Sequence, residues 1–120
     1  YNDENRRDVT MAWDGPLVVV TNKMSASASE IFAGAIKDYN RGIVIGDPQT
    51  HGKGTVQTMQ DVNPFGAAAK KSLGALKITI QQFYLPDGRS TQQEGVAADV
   101  ILPSWLAYAD ISESDLDFAL

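Results

Sequence analysis

The stretch Ser25-Ala26-Ser27-Ala28-Ser29-Glu30 places three serines among small residues, and Gly52-Lys53-Gly54-Thr55 frames a lysine between two glycines further along the chain. Together these residue types suit a serine nucleophile with a lysine base. Rival chemistry is short of parts. The chain has no cysteine, so thiolate nucleophiles, disulfides and thiolate metal sites are excluded, and the redox compartment stays open. His51 is the single histidine. A histidine-rich metal cluster is therefore excluded, as is a histidine-containing triad that does not use His51.

A lysine base carries a physical requirement. Free lysine titrates near about 10.4, which leaves under about one part in a thousand neutral at pH 7. Burial disfavours the ammonium and lowers that value by as much as roughly 3–5 units, so Lys53 is expected in a desolvated place. Gly52 and Gly54 let neighbouring backbone pack closely around it. With the chain extended beyond Lys53, Gln57 projects on the same face, where its amide can orient the amine. Ser27 precedes a helical pattern whose first N–H groups lack partners, so the amide of Ala28 is a candidate oxyanion donor.

The elements that position these residues read as α/β. Pro16 to Thr21 is a continuous apolar, β-branched run, expected as a strand buried on both faces. From Glu30 to Tyr39 the chain carries Ile31, Phe32, Ala35, Ile36 and Tyr39 at helical spacing, the expected core face, with Asn40-Arg41-Gly42 as its stop and Gly42 as the end. Ile43 to Ile45 is a second short buried strand. Strand, helix and strand in succession imply a parallel pair joined by a right-handed crossover. The loops leaving the carboxyl ends of those strands, one with Ser27 and the other with Lys53, then meet at one crevice.

Further along, Thr55 to Gln60 reads as a strand, and Asn63-Pro64-Phe65-Gly66 with Lys70-Lys71 as a mobile connection. Ala75 to Leu85 alternates Leu76, Ile78 and Ile80 against Lys77, Thr79 and Gln81, the pattern of a half-buried strand turned by Pro86-Asp87-Gly88. Val96 to Leu102 reads as a last short strand. Residues 1–14 are polar and read as a loop or edge hairpin. The tail, with Asp110, Glu113, Asp115 and Asp117, is acidic and expected at the periphery.

At 120 residues the chain is about one domain. Ten lysines and arginines against 15 aspartates and glutamates give a net charge of −5, which argues against nucleic acid as a partner. No apolar stretch approaches the roughly 20 residues of a membrane helix. A start at Tyr1 rather than Met is expected of a piece cut from a longer chain.

The runs Ser25 to Ala35, Arg41-Gly42-Ile43-Val44-Ile45-Gly46, Gly52-Lys53-Gly54-Thr55-Val56-Gln57 and Gly95-Val96-Ala97-Ala98-Asp99-Val100 resemble the tail-specific, or C-terminal-processing, serine proteases over nearly the whole chain. The resemblance implies that Ser27, the middle serine, is the nucleophile, that Lys53 is the base and that Gln57 orients it. It implies a crotonase-like (ClpP/crotonase-type) α/β spiral, of which residues 1–103 form the C-terminal part of the peptidase domain and residues 104–120 an acidic tail. It further implies protein or peptide substrates recognised near their C-termini, an upstream PDZ-like domain, no cofactor and, by analogy with Gram-negative members, export to the periplasm or cell envelope. The second oxyanion donor in such folds lies on an earlier glycine-bearing turn, for which residues 1–24 offer no obvious candidate, so the isolated chain is expected to be weak or inactive. This sequence departs from the family pattern in two places. The Gly46–Gly52 loop is one residue longer than the commonest form, and Ala98 stands where proline is usual.

Each residue also has a structural reading. Ser27-Ala28-Ser29-Glu30 fits a capping box, in which Ser27 only caps the helix and Glu30 reaches back. Lys53 alone reads as a surface charge, Gln57 as an ordinary strand residue and His51 as incidental. Asp38 lies about three helical turns from Ser27, some 16 Å at roughly 1.5 Å per residue, and is expected to pair with Arg41 or Lys37. Phe83, Tyr84, Trp13 and Trp105 read as core or rim packing. A phosphate-binding loop at Gly46–Thr55 fails on spacing, because five residues separate Gly46 from Gly52 and Gly54 follows Lys53 where Ser or Thr is required. The alternative to an enzyme is a non-catalytic protein-interaction half-domain that assembles through exposed β edges.

Overall fold

A computed structural model describes residues 12–62 and 73–120, so the expectations for residues 1–11 and for the 63–72 connection lie outside the described residues. The described chain is α/β. Strand β1 (Val18–Thr21) leads to helix α1 (Ala28–Asp38) and strand β2 (Ile43–Gly46), and β1 pairs with β2 in parallel from Val18↔Ile43 to Thr21↔Gly46. A strand that must return parallel needs a crossover, and α1 supplies it. Strand β5 (Val100–Ile101) adds to the other side of β2, giving the order β1-β2-β5. Strands β3 (Thr55–Asp61) and β4 (Ala75–Gln82) form a separate antiparallel ribbon. Its register steps from Val56↔Gln81 to Gln57↔Thr79, which makes Ile80 an extra residue on β4.

The core is small: Ala33, Val44, Leu85 and Val96, with Val19 packed against them. This arrangement corrects the expected helix face. Glu30, Ala33 and Gly34 point inward, whereas Ile31, Phe32 and Tyr39 are exposed. The reason is steric and electrostatic together. A Cβ on Gly34 would stand 2.5 Å from Leu85 Cδ2, so the helix packs through its smallest residues, and Glu30 turns inward because hydrogen-bond donors wait there. Lys37, one turn beyond Gly34, continues the stripe by donating to the Ala97 carbonyl at 2.7 Å and pairing with Asp99 at 2.9 Å. That bond, with a second from the Val44 amide, holds the Asp99 carboxyl below the usual carboxylate range.

The helix stops one residue pair earlier than expected. Asn40 takes the left-handed conformation (φ 52°), with Asn40 N bonded to Lys37 O and Arg41 N to Ile36 O. Those two bonds close a Schellman motif. Gly42 matters for space instead, since a Cβ there would lie 2.6 Å from the Leu17 carbonyl oxygen.

Two strand expectations also change. Val18 and Val20 of β1 are exposed and Val19 is half-buried, so the strand is covered on one face. Every residue of β4 is exposed despite its alternating pattern. Among the described residues β4 pairs only with β3, so no layer covers either face. Of the expected 96–102 strand, β5 keeps two residues, while Val96 enters the core and Ala97 bridges to Gln49. Trp13, Trp105 and Tyr84 are exposed and lie outside the core. Asp38 pairs with Arg89 at 3.6 Å and accepts from the Asp87 amide, whereas Arg41 donates to the carbonyls of Trp13 and Gly15.

Candidate active site

Ser27 is the N-cap of α1 and has φ 57° and ψ −112°. A non-glycine residue held there stores of order 1–3 kcal/mol of strain, and such outliers concentrate at functional sites. The Ser27 carbonyl accepts from Glu30 N at 2.9 Å and Ile31 N at 3.1 Å, and the Ser27 amide donates to Glu30 Oε2 at 2.8 Å. The pair thus has the arrangement of a capping box, but the Ser27 hydroxyl makes no cap hydrogen bond. Beside the helix start, an open hollow of about 490 Å³ is lined by Val20, Ser25, Ala28, Ser29 and Phe32.

Glu30 links this turn to the lysine loop. Its side chain is fully buried. Oε1 accepts from Thr50 Oγ1 and from the Gly52 amide, both at 2.6 Å, and Oε2 accepts from the Lys53 amide at 2.9 Å as well as from Ser27. A buried carboxylate is costly unless its lone pairs are occupied. Four donors and the start of a helix meet that need. Thr50 Oγ1 in turn accepts from Val96 N at 2.8 Å, which ties the arrangement to the core.

Lys53 is half-buried, in a loop that other backbone approaches closely. Gly52 has φ 92°, and a Cβ there would lie 2.9 Å from the Gln93 carbonyl; one on Gly54 would lie 2.5 Å from Gln92 N. Side chains at both positions are excluded, which is the close packing the two glycines were expected to permit. The His51 amide donates to Ser25 O at 3.0 Å, a further tie between the two loops. The structure therefore joins Ser27 and Lys53 through their backbones. Gln57 lies on β3 with its Nε2 donating to Thr55 Oγ1 at 2.6 Å.

Asp47 follows β2 and is almost fully buried. Burial acts to raise its pKa, but bonds from the Ser104 amide and hydroxyl and the Lys23 amide, with the Lys23 charge, hold it below the usual carboxylate range. Local sequence gave a signal for Glu30 as a capping residue; its reach to Thr50, Gly52 and Lys53 depends on the crossover and was missed.

Residues 1–102 match the family described as Peptidase family S41. The chain is 47% identical over 113 residues to the tail-specific protease of Haemophilus influenzae, covering 94% of this chain and 16% of that protein. It is 42% identical over 87 residues to the carboxy-terminal-processing protease of Bartonella bacilliformis, covering 72% of this chain and 18% of that protein. Among solved structures it is similar to a photosystem II D1 C-terminal processing protease, with a TM-score of 0.62 and 39% identity over 73% of this chain and 20% of that one. The chain thus spans under a fifth of the length of these two relatives. Because the family match runs over residues 1–102, most of its length, the chain belongs to peptidase family S41.

Proposed function

We propose that this chain is the C-terminal part of a serine endopeptidase domain of the C-terminal-processing type, with Ser27 as nucleophile and Lys53 as base. The observation that carries the reading is Glu30, one buried carboxylate that binds the backbone of both residues. In this reaction Ser27 Oγ attacks the scissile carbonyl carbon as its proton passes to Lys53 Nζ. The Ala28 amide, at the first turn of α1, donates to the developing oxyanion. The C–N bond breaks, the lysine returns the proton to the leaving amine, and water hydrolyses the acyl-serine with the lysine again as base. Gln57 has its donor end on Thr55, and its carbonyl oxygen is the end that can accept from the amine.

The proposal extends to the whole protein. A crotonase-like spiral completed by the rest of the peptidase domain, residues 1–103 as its C-terminal part with 104–120 as tail, a PDZ-like domain that captures substrate C-termini, and residence in the periplasm or cell envelope fit this reading. Substrates are proteins or peptides. Rapid acid quench of the full-length protein with a peptide substrate, followed by peptide mapping, is expected to find the acyl group on Ser27. An adduct on another residue would overturn the assignment.

A further inference from the structure

The acidic tail does more than cover the surface. Among its residues, Ser104 bonds Asp47, Ala109 O accepts from Lys23 Nζ at 2.6 Å, and Asp115 lies 3.7 Å from the same ammonium. These ties bring the turn Glu113–Asp115 against the lysine loop. There the Glu113 amide donates to His51 O at 2.8 Å, and Glu113 Oε1 accepts from Gln92 Nε2 at 3.2 Å. Gln92 Oε1 in turn accepts from the Gly54 amide at 2.8 Å. His51 and Gly54 flank the lysine, and both lead to Glu113.

We propose that Glu113 and Gln92 are positioning residues for the base: Glu30 fixes the inner side of the loop through Gly52 and Lys53, and the Glu113–Gln92 pair braces its outer side. The brace rests on the Ser27–Lys53 reading. It lies partly in residue 113, beyond the 1–102 stretch that matches the family. A lysine on a loop held from one side only can swing, and small misplacement of a reacting group is costly in rate. Residues that act only by holding the loop that carries the base should move kcat and leave KM in place.

The test is steady-state cleavage of a peptide by the full-length protein carrying Gln92→Met, Glu113→Ala, both together, or Glu113→Gln, with melting temperatures measured alongside. Gln92→Met and Glu113→Ala are each expected to lose about tenfold in kcat with KM within about twofold. Since they break one chain of bonds, the double variant should fall no further than Gln92→Met alone. Glu113→Gln keeps an acceptor for Gln92 and should restore the rate. Unchanged kcat in Gln92→Met and Glu113→Ala, or a loss that follows melting temperature and is not rescued by Glu113→Gln, overturns the brace. Should Gln92→Met not fold, Glu113→Ala against Glu113→Gln makes the same test. Lys53→Ala in that assay separates the two readings. Wild-type rates there overturn the base itself, whereas loss there with wild-type Gln92→Met and Glu113→Ala overturns only the brace.

Discussion

Ser27→Ala in the full-length protein is expected to cut kcat by about 10⁴-fold or more, the scale seen when a residue of a catalytic unit is removed. The fold should survive, because the bonds at this turn run through the backbone: the Ser27 amide to Glu30, and the Ser27 carbonyl from Glu30 and Ile31. Alanine keeps all three. No hydrogen bond of normal geometry joins the hydroxyl to the helix start, so its loss should remove little helix-capping energy. Peptide turnover and a melting curve on the same sample check both halves. A large loss of activity with an unchanged melting temperature separates the nucleophile from a helix cap, whose loss typically costs about 1 kcal/mol of stability.

Glu30→Gln should harm both stability and rate. The carboxylate meets four donors, and an amide offers one oxygen to accept while its NH₂ faces donors. With the NH₂ on the Oε2 side both bonds there are lost; on the Oε1 side the Gly52 bond is lost, while the Thr50 hydroxyl can turn and accept from the NH₂. Hydrogen bonds to a charged group are worth about 1.5–3 kcal/mol each, so losing one or two of them is expected to cost about 2–6 kcal/mol. If the NH₂ replaces Oε2, the Ser27 and Lys53 amides lose their common partner. If it replaces Oε1, the Gly52 bond is lost and the loop moves beside the lysine. Either displacement should lower kcat by about 10²-fold in the fraction that stays folded. Chemical denaturation and turnover per folded molecule measure the two effects separately. A Glu30→Gln protein as stable and as fast as the parent would mean that the buried carboxylate is not what joins the loops.

What the sequence revealed and what it hid follow from the range of the forces involved. Parallel β1 and β2 with α1 between them were legible because β-branched runs and a helical period are local. The turn at Asn40 was nearly so; the stop signal was present, and a two-bond Schellman closure chose Asn40 over Gly42. The inward face of α1 was not legible. Hydropathy favoured Ile31, Phe32 and Tyr39, but the close approach of Leu85 to Gly34 and the donors around Glu30 turned the helix the other way. β4 misled for a related reason, since alternation shows that one face can be buried without supplying a layer to bury it.

The site divides in the same manner. Ser27 and Lys53 stand out by local chemistry, and the glycines at 52 and 54 by the space they leave. Partners distant in sequence stayed hidden: Glu30 with Thr50 and Gly52, Gln92 with Gly54, and Glu113 with His51. Asp38 is the reverse case. Its expected partners were its helix neighbours, yet it meets Arg89 from the turn after β4.

Ser27 and Lys53 are proposed to act as one unit in proton transfer. The deciding measurement is kcat of the full-length Ser27→Ala/Lys53→Ala double variant beside each single variant. Lys53→Ala leaves the Lys53 amide on Glu30, so the loop keeps its inner tie. Each single change is expected to cost about 10⁴-fold or more, and the double change no more than either. Losses that multiply in the double variant, or a Lys53→Ala protein that retains parental turnover, would contradict this proposal.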